Sequence, residues 1–524
     1  MRFAQILILA WPLLAADLQL SYRSEIDGTE QPFRVYVPAS YSEARPIPVV
    51  IALHGTGGNH NSFFDDASYV AAKAGAVAEK LGVLIVSPMG RGVTEYRGVG
   101  ENDCFCVLEE VRKRWRIDED RIYLTGLSMG GTGAAYLALR HPDLFAAAAP
   151  ISSAYSWPWL ARNALKIPFL WVGGAEDAVF YHRGVSVGVD RMRQYGVKVL
   201  SESLPNEGHA GPMKEFERLV AWLLKHKRET HPRQYFFETD TPLHGRAWWT
   251  TITRMEEPGR IADIEAEAVD THTARITTRN VAAFDFHPDP KVFDLSQPVE
   301  LVVNGRAAGR KQYAEQAAPN LCREWRTHPV GEAVETVDML GTEKPLGSWI
   351  ADAMRWATST DIALWNGLAY RGLPLFRGKV DIVDLIQASR PFDQHLVTVR
   401  LSGRDVLDVL DANVPNPAKN QPSRIDSPGA SRLIQASGFS YVFDRTRPRG
   451  QRILSSTIEP ERMYTVALEG QVVERETILL GGRFLRIDYQ TSATPFTLAL
   501  YGYAARNPRF EAKREGRVRE DQPR

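Results

Sequence analysis

Cysteine is scarce in this sequence, with three residues among 524. That excludes a disulfide-built scaffold, in which bridges stand in for a hydrophobic core. A dominant charge is missing too: 63 Lys and Arg face 63 Asp and Glu, for a formal net charge of zero. No overall field therefore draws the protein to nucleic acid or to an anionic membrane. After the first residues no apolar run approaches the roughly 20 residues that a membrane-spanning helix needs. A two-metal phosphatase centre is excluded as well, because no D-x-H run precedes a G-D-x-x-D run and Gly58-Asn59-His60 has no further ligand in order. The sequence therefore leads us to expect no metal and no cofactor.

The opening MRFAQILILAWPLLAA has one early Arg, an apolar run from Ile6 to Leu14, and small residues at Ala15 and Ala16. It fits a secretory signal peptide over 1–16, cut near Ala16, and places the mature protein outside the cytoplasm, secreted or periplasmic. Cys104 and Cys106 sit two apart near the start of an expected helix, so their side chains diverge and both read as small core residues. Cys322 has no evident partner. One disulfide is compatible with export, and the sequence does not name it.

A chain this long exceeds the roughly 250–300 residues that one core can organise. Over 18–230 buried runs alternate with helical patterns: Pro48 to Leu53, Gly82 to Pro88, Arg121 to Gly126 and Ile167 to Gly174 read as strands. Phe216, Leu219, Val220, Leu223 and Leu224 recur at helical spacing and close this α/β unit. Short alternating runs over 233–310 predict a small β-sandwich. A third unit over 338–504 mixes helix and strand (α+β), with LGSWIADAMRWATSTDIALWN as helix then strand and LSGRDVLDVLDAN as an amphipathic helix. The charge-rich stretch 505–524 reads as a disordered tail.

The chemistry concentrates in the first unit. Gly126-Leu127-Ser128-Met129-Gly130 follows the strand-like RIYLT and precedes the helix-like GTGAAYLALRH. This is the G-x-S-x-G nucleophile elbow in its proper context: a sharp strand-to-helix turn strains the Ser and leaves no room for bulk beside it. A hydroxyl needs a base, and the base an orienting acid, in the chain order Ser, acid, His. Asp177 in GGAEDAVF and His209 in NEGHAGP lie just past strand-like runs, where catalytic groups project. Glu176 is the rival acid and His182 the rival base; His60 and His226 read as surface or packing residues. The oxyanion hole requires two backbone amides. Met129 is expected to give one, and Thr56, in HGTGG after a buried strand, the other, with His54 holding that loop. Trp157 and Trp159 are candidates for lining an acyl pocket, and packing beneath a loop suits them equally.

HGTGG, the run RWRIDEDRIYLTGLSMGGTGAAYLALRHPDLFAAAAP, GGAED and EGH together resemble secreted α/β-hydrolases of the polyhydroxybutyrate-depolymerase and feruloyl-esterase-like group, related to prolyl-oligopeptidase-family hydrolases. The resemblance spans Ser21 to Lys227. It implies an α/β-hydrolase sheet and ester hydrolysis through an acyl-enzyme, on a small-molecule or polymeric ester. Later blocks, from Pro345 to Tyr501, resemble in order the C-terminal domain of periplasmic 5′-nucleotidases. That resemblance implies a nucleoside ligand, with Arg371 and Phe439 at the family's functional Arg and aromatic positions. It makes a nucleotide-binding protein the alternative reading. The chain departs from that pattern at Asn366-Gly367-Leu368-Ala369-Tyr370-Arg371 and at Gly481-Gly482-Arg483-Phe484, where close-approach glycines and an Asp are missing.

Overall fold

The computed structural model describes residues 15–92, 94–153, 158–177, 182–316, 320–322, 328–365, 373–388, 395–415, 433–470 and 489–521. Trp157, Arg371, the Gly481-Gly482 run and most of the signal-like segment lie outside them. The chain divides into two compact units, one of residues 1–232 with 317–323, the other of residues 233–316 with 324–524.

In the first unit eight strands form one sheet: β1 (Ala16–Arg23), β2 (Glu30–Val37), β3 (Ile47–Leu53), β4 (Leu84–Pro88), β5 (Ile117–Leu127), β6 (Ala147–Ile151), β7 (Phe169–Gly174) and β8 (Val199–Leu204). Their spatial order is β1-β2-β4-β3-β5-β6-β7-β8. β1 is antiparallel to β2 and β2 to β4; from β4 onward all neighbours are parallel. β3 and β4 are buried along their whole length, as a strand covered on both faces must be. The helices Ala74–Leu81 and Phe216–Leu223 seal one face, with Val77, Phe216, Leu219, Val220 and Leu223 packed against Val50, Ile85 and Tyr123. This is the α/β-hydrolase sheet. Its parallel order places the ends of β3, β5, β6, β7 and β8 along one edge, where ligands of open α/β sheets bind.

Cys106 and Cys322 form a disulfide within this unit, across 216 residues of sequence. This corrects the reading of Cys106 as a plain core residue. The bridge draws the short stretch around Cys322 back onto the helix Val99–Arg114, a contact that helical spacing around Cys106 could not reveal. Cys104 is free and buried.

In the second unit, residues 234–311 form a three-stranded and a five-stranded sheet. Tyr235, Phe237, Ile252, Ile264, Ile276, Phe286 and Val299, drawn from both, share one core. The remainder is built on another five-stranded sheet, packed by the helices Pro345–Thr358, Phe496–Arg506 and Gly403–Asn413. The last of these begins with a capping box: Ser402 Oγ accepts from the Asp405 amide at 3.1 Å, and Asp405 accepts from the Ser402 amide at 3.3 Å.

The charged tail is ordered as far as Asp521, against the sequence-based expectation. Arg509–Phe510 and Val518–Glu520 join sheets, and Phe510 and Val518 are buried. Its charges are partnered: Arg517 grips Asp352 at 2.7 and 3.0 Å, and Arg445 pairs with Glu520. The Glu343 carboxylate accepts from the amides of Glu515, Gly516 and Arg517. Composition counts such charges but does not see what they face.

Candidate active site

Ser128 stands at the end of β5 with φ 62° and ψ −117°, a conformation that costs a non-glycine residue of order 1–3 kcal/mol. The neighbouring strands hold it there. Its amide donates to the Ile151 carbonyl of β6 at 2.8 Å, and its own carbonyl accepts the first bond of the helix Met129–Arg140, from Thr132 at 3.0 Å. Gly130 is obligatory, since a Cβ there would lie 1.9 Å from the Leu53 carbonyl of β3. The half-buried Ser128 side chain thus projects at the head of a helix. There the Met129 amide occupies the first helical position, which has no partner inside its helix.

The loop after β3 lies beside it. A Cβ on Gly55 would approach Ser128 Cβ to 3.3 Å. His54 is fully buried, its Nδ1 2.8 Å from the Gly55 carbonyl and its Nε2 2.9 Å from the Met89 carbonyl. Burial lowers its pKa, so the ring is neutral and donates to one of the two carbonyls at a time. Structure and sequence agree that His54 packs beneath this loop.

Two further loops meet at the far side of the same edge. Past β7, Glu176 donates its amide to the Glu207 carbonyl at 2.9 Å, and Ala175 donates to Leu204 at 2.9 Å. These bonds bring Asp177 to His209: Nδ1 of the ring and Oδ2 of the carboxylate are 2.7 Å apart. The Asp177 side chain is 1% exposed and that of His209 27%, so the acid is buried and the imidazole reaches solvent. A carboxylate only accepts, so Nδ1 carries the hydrogen and a neutral ring keeps its lone pair at Nε2. Glu176, the rival acid, is exposed. The His182 side chain lies outside the described part.

Two further candidates have buried side chains. Trp159 is buried. Phe439 sits in the core of the second unit, stacked on Tyr441 with ring centroids 6.1 Å apart. Sequence reasoning missed Tyr69 and Tyr96, whose hydroxyls bond the loop after β3. Tyr69 lies 14 residues from Gly55 and Tyr96 42 residues from His54, and no motif marks them.

Residues 90–164 match the prolyl oligopeptidase family model, and residues 329–473 match that of the 5′-nucleotidase C-terminal domain. Endonuclease YhcR of Bacillus subtilis is 32% identical over 147 residues, 26% of this chain and 11% of that protein. An endo-1,4-beta-xylanase/feruloyl esterase of Xylanibacter ruminicola is 27% identical over 217 residues, 37% of this chain and 28% of that one. Feruloyl esterase B of Talaromyces funiculosus is 24% identical over 239 residues, 42% of this chain and 61% of that enzyme. The chain spans less than two thirds of each of these relatives. It joins an α/β-hydrolase unit to a domain of the 5′-nucleotidase C-terminal kind.

Proposed function

We propose that the protein is an exported serine hydrolase that cleaves carboxylic esters through an acyl-enzyme on Ser128, with His209 as base and Asp177 orienting it. The observation that carries this reading is the 2.7 Å hydrogen bond between His209 and the buried Asp177, at the sheet edge that also bears Ser128. His209 Nε2 takes the Ser128 proton as Oγ attacks the ester carbonyl carbon. The carbonyl oxygen becomes an oxyanion facing the amides of Met129 and Thr56. Collapse breaks the bond to the alcohol, which leaves with the proton from His209. Water, deprotonated by the same imidazole, then releases the acid. Similarity to feruloyl esterases favours aromatic acyl esters attached to polysaccharide as the first substrates to try. Export rests on the signal-like first 16 residues. Among the described residues no helix is long and apolar enough to cross a membrane.

The test is a panel of aryl and feruloyl esters with a fluorophosphonate label. Ser128→Ala abolishes both turnover and labelling; wild-type turnover in that variant would sink the reading.

The 5′-nucleotidase match favours a second reading for the other unit, a nucleoside ligand. Calorimetry with AMP tests it on the full chain: measurable heat supports it, and none at millimolar AMP removes it.

A further inference from the structure

The His54–Gly55 peptide group is held from both ends by tyrosines distant in sequence. The Tyr96 hydroxyl donates to the His54 carbonyl at 3.1 Å, and the Gly55 amide donates to the Tyr69 hydroxyl at 2.6 Å. That carbonyl and that amide belong to the same planar unit, so two bonds at its opposite ends fix the rotation of the plane. The following peptide, Gly55–Thr56, carries the amide assigned above to the oxyanion. Its carbonyl accepts from the Gly58 amide at 3.0 Å and faces His54 Nδ1 at 2.8 Å. Between the two planes lies only Gly55, whose backbone has no side chain to restrain it.

Both tyrosines occupy places built for them. Tyr96 is fully buried and has φ 57°, a strained value for a bulky residue. Its ring fills a slot between two glycines: a Cβ on Gly90 would meet Cε1 at 2.3 Å, and one on Gly133 would meet Cδ2 at 2.5 Å. Gly133 belongs to the helix that Ser128 heads, so the same ring touches the nucleophile's helix and the oxyanion loop. Tyr69 is 5% exposed, and its hydroxyl would lie 2.9 Å from a Gly55 Cβ.

We propose that Tyr69 and Tyr96 are positioning residues for ester hydrolysis: their hydroxyls clamp the His54–Gly55 peptide and so aim the Thr56 amide at the developing oxyanion. This rests on the reading of Ser128 as the nucleophile. Neither residue touches substrate; both act through the backbone.

Tyr69→Phe and Tyr96→Phe keep each ring and remove only the hydroxyl. An oxyanion donor is typically worth a factor of about 10²–10³ in kcat, and a donor left in place but loosely aimed forfeits part of it. Each variant is expected to lose about 10–100-fold in kcat with KM within twofold, because the oxyanion exists only in the transition state. Affinity for a trifluoromethyl ketone, which forms an oxyanion on the nucleophile, falls by the same factor. Tyr123→Phe is the control. It loses a half-buried tyrosine bond to a backbone carbonyl, that of His226 at 2.7 Å, away from this loop, and keeps kcat. Unchanged kcat in both tyrosine variants, or an equal loss in Tyr123→Phe, overturns the clamp. If Ser128→Ala is dead while the tyrosine variants are normal, only the clamp falls; if Ser128→Ala keeps its activity, both readings fall.

Discussion

Gly174 lies so close to Glu207 that a Cβ on the glycine would sit 2.2 Å from the glutamate's carbonyl oxygen, and 2.4 Å from that of Gly208. The end of β7 and the loop carrying His209 are in backbone contact, and only hydrogen fits between them. Gly174→Ala must push that loop outward, away from Asp177. We expect a loss of about 1–3 kcal/mol of stability, the usual consequence of overpacking. A fall in kcat larger than in KM should accompany it. Urea denaturation and steady-state kinetics on one preparation separate the two effects.

Asp177→Asn keeps the shape of the acid but not its purely accepting character. The amide can donate to Nδ1, which turns the ring over to the tautomer with its hydrogen on Nε2, where the lone pair is needed. A fall of roughly 10⁴ in kcat is expected, with the fold intact by circular dichroism. Glu176→Gln, on an exposed side chain, should leave kcat within twofold.

Burial holds the His54 imidazole below its usual 6.5. At this residue the folded state therefore binds fewer protons than the unfolded chain around neutrality. His54's contribution to stability is complete above pH 6.5 and is lost as pH falls through the lowered value. Chemical denaturation from pH 8 to 5 should show this as a loss of stability in acid, set against the opposite effect of Glu469, which burial raises to about 7, and His54→Gln should reduce the loss relative to wild type. It should not abolish it, because burial lowers His60 and His226 in the same direction.

Cys106→Ser, Cys322→Ser or reduction should each destabilise the hydrolase unit by about 2–4 kcal/mol. Calorimetry before and after dithiothreitol measures it. Peptide mapping without reductant should recover the 106–322 pair. Cys104, buried and with its thiol pushed well up by that burial, should resist a thiol reagent until the unit unfolds.

Arg517→Ala removes both bonds to Asp352 and a bond to the Ala436 carbonyl. A cost of about 1–3 kcal/mol to the second unit is expected, measured by its thermal transition. An unchanged transition would mean that the terminal segment adds nothing to that unit.

The turn at Ser128 and the loops that carry Asp177 and His209 were legible because their sequence signals are local. Gly126, Ser128 and Gly130 announce a tight turn within five residues, and Asp177 and His209 each sit just past an apolar run. The strand β6 was not foreseen. Its Ala147-Ala148-Ala149 run has low strand propensity and is held in place by β5 and β7 on either side. The partners of Cys106, of Arg517 and of the tyrosine hydroxyls are far apart along the chain. No periodicity carries such pairings; only the folded backbone brings them within reach. The amphipathic helix at Gly403–Asn413, by contrast, was readable down to its Gly403 start, though not its Ser402 cap.

The bridge between Cys106 and Cys322 closes residues 106–322 into a macrocycle, and the β-sandwich is threaded along its circumference. A protease that nicks the chain once inside the ring yields two polypeptides that stay tethered through sulfur. If the protein is exported as proposed, a single clip between the two cysteines would then not cost the first unit its C-terminal companion. Separating those two polypeptides from each other would need the bridge itself to be reduced.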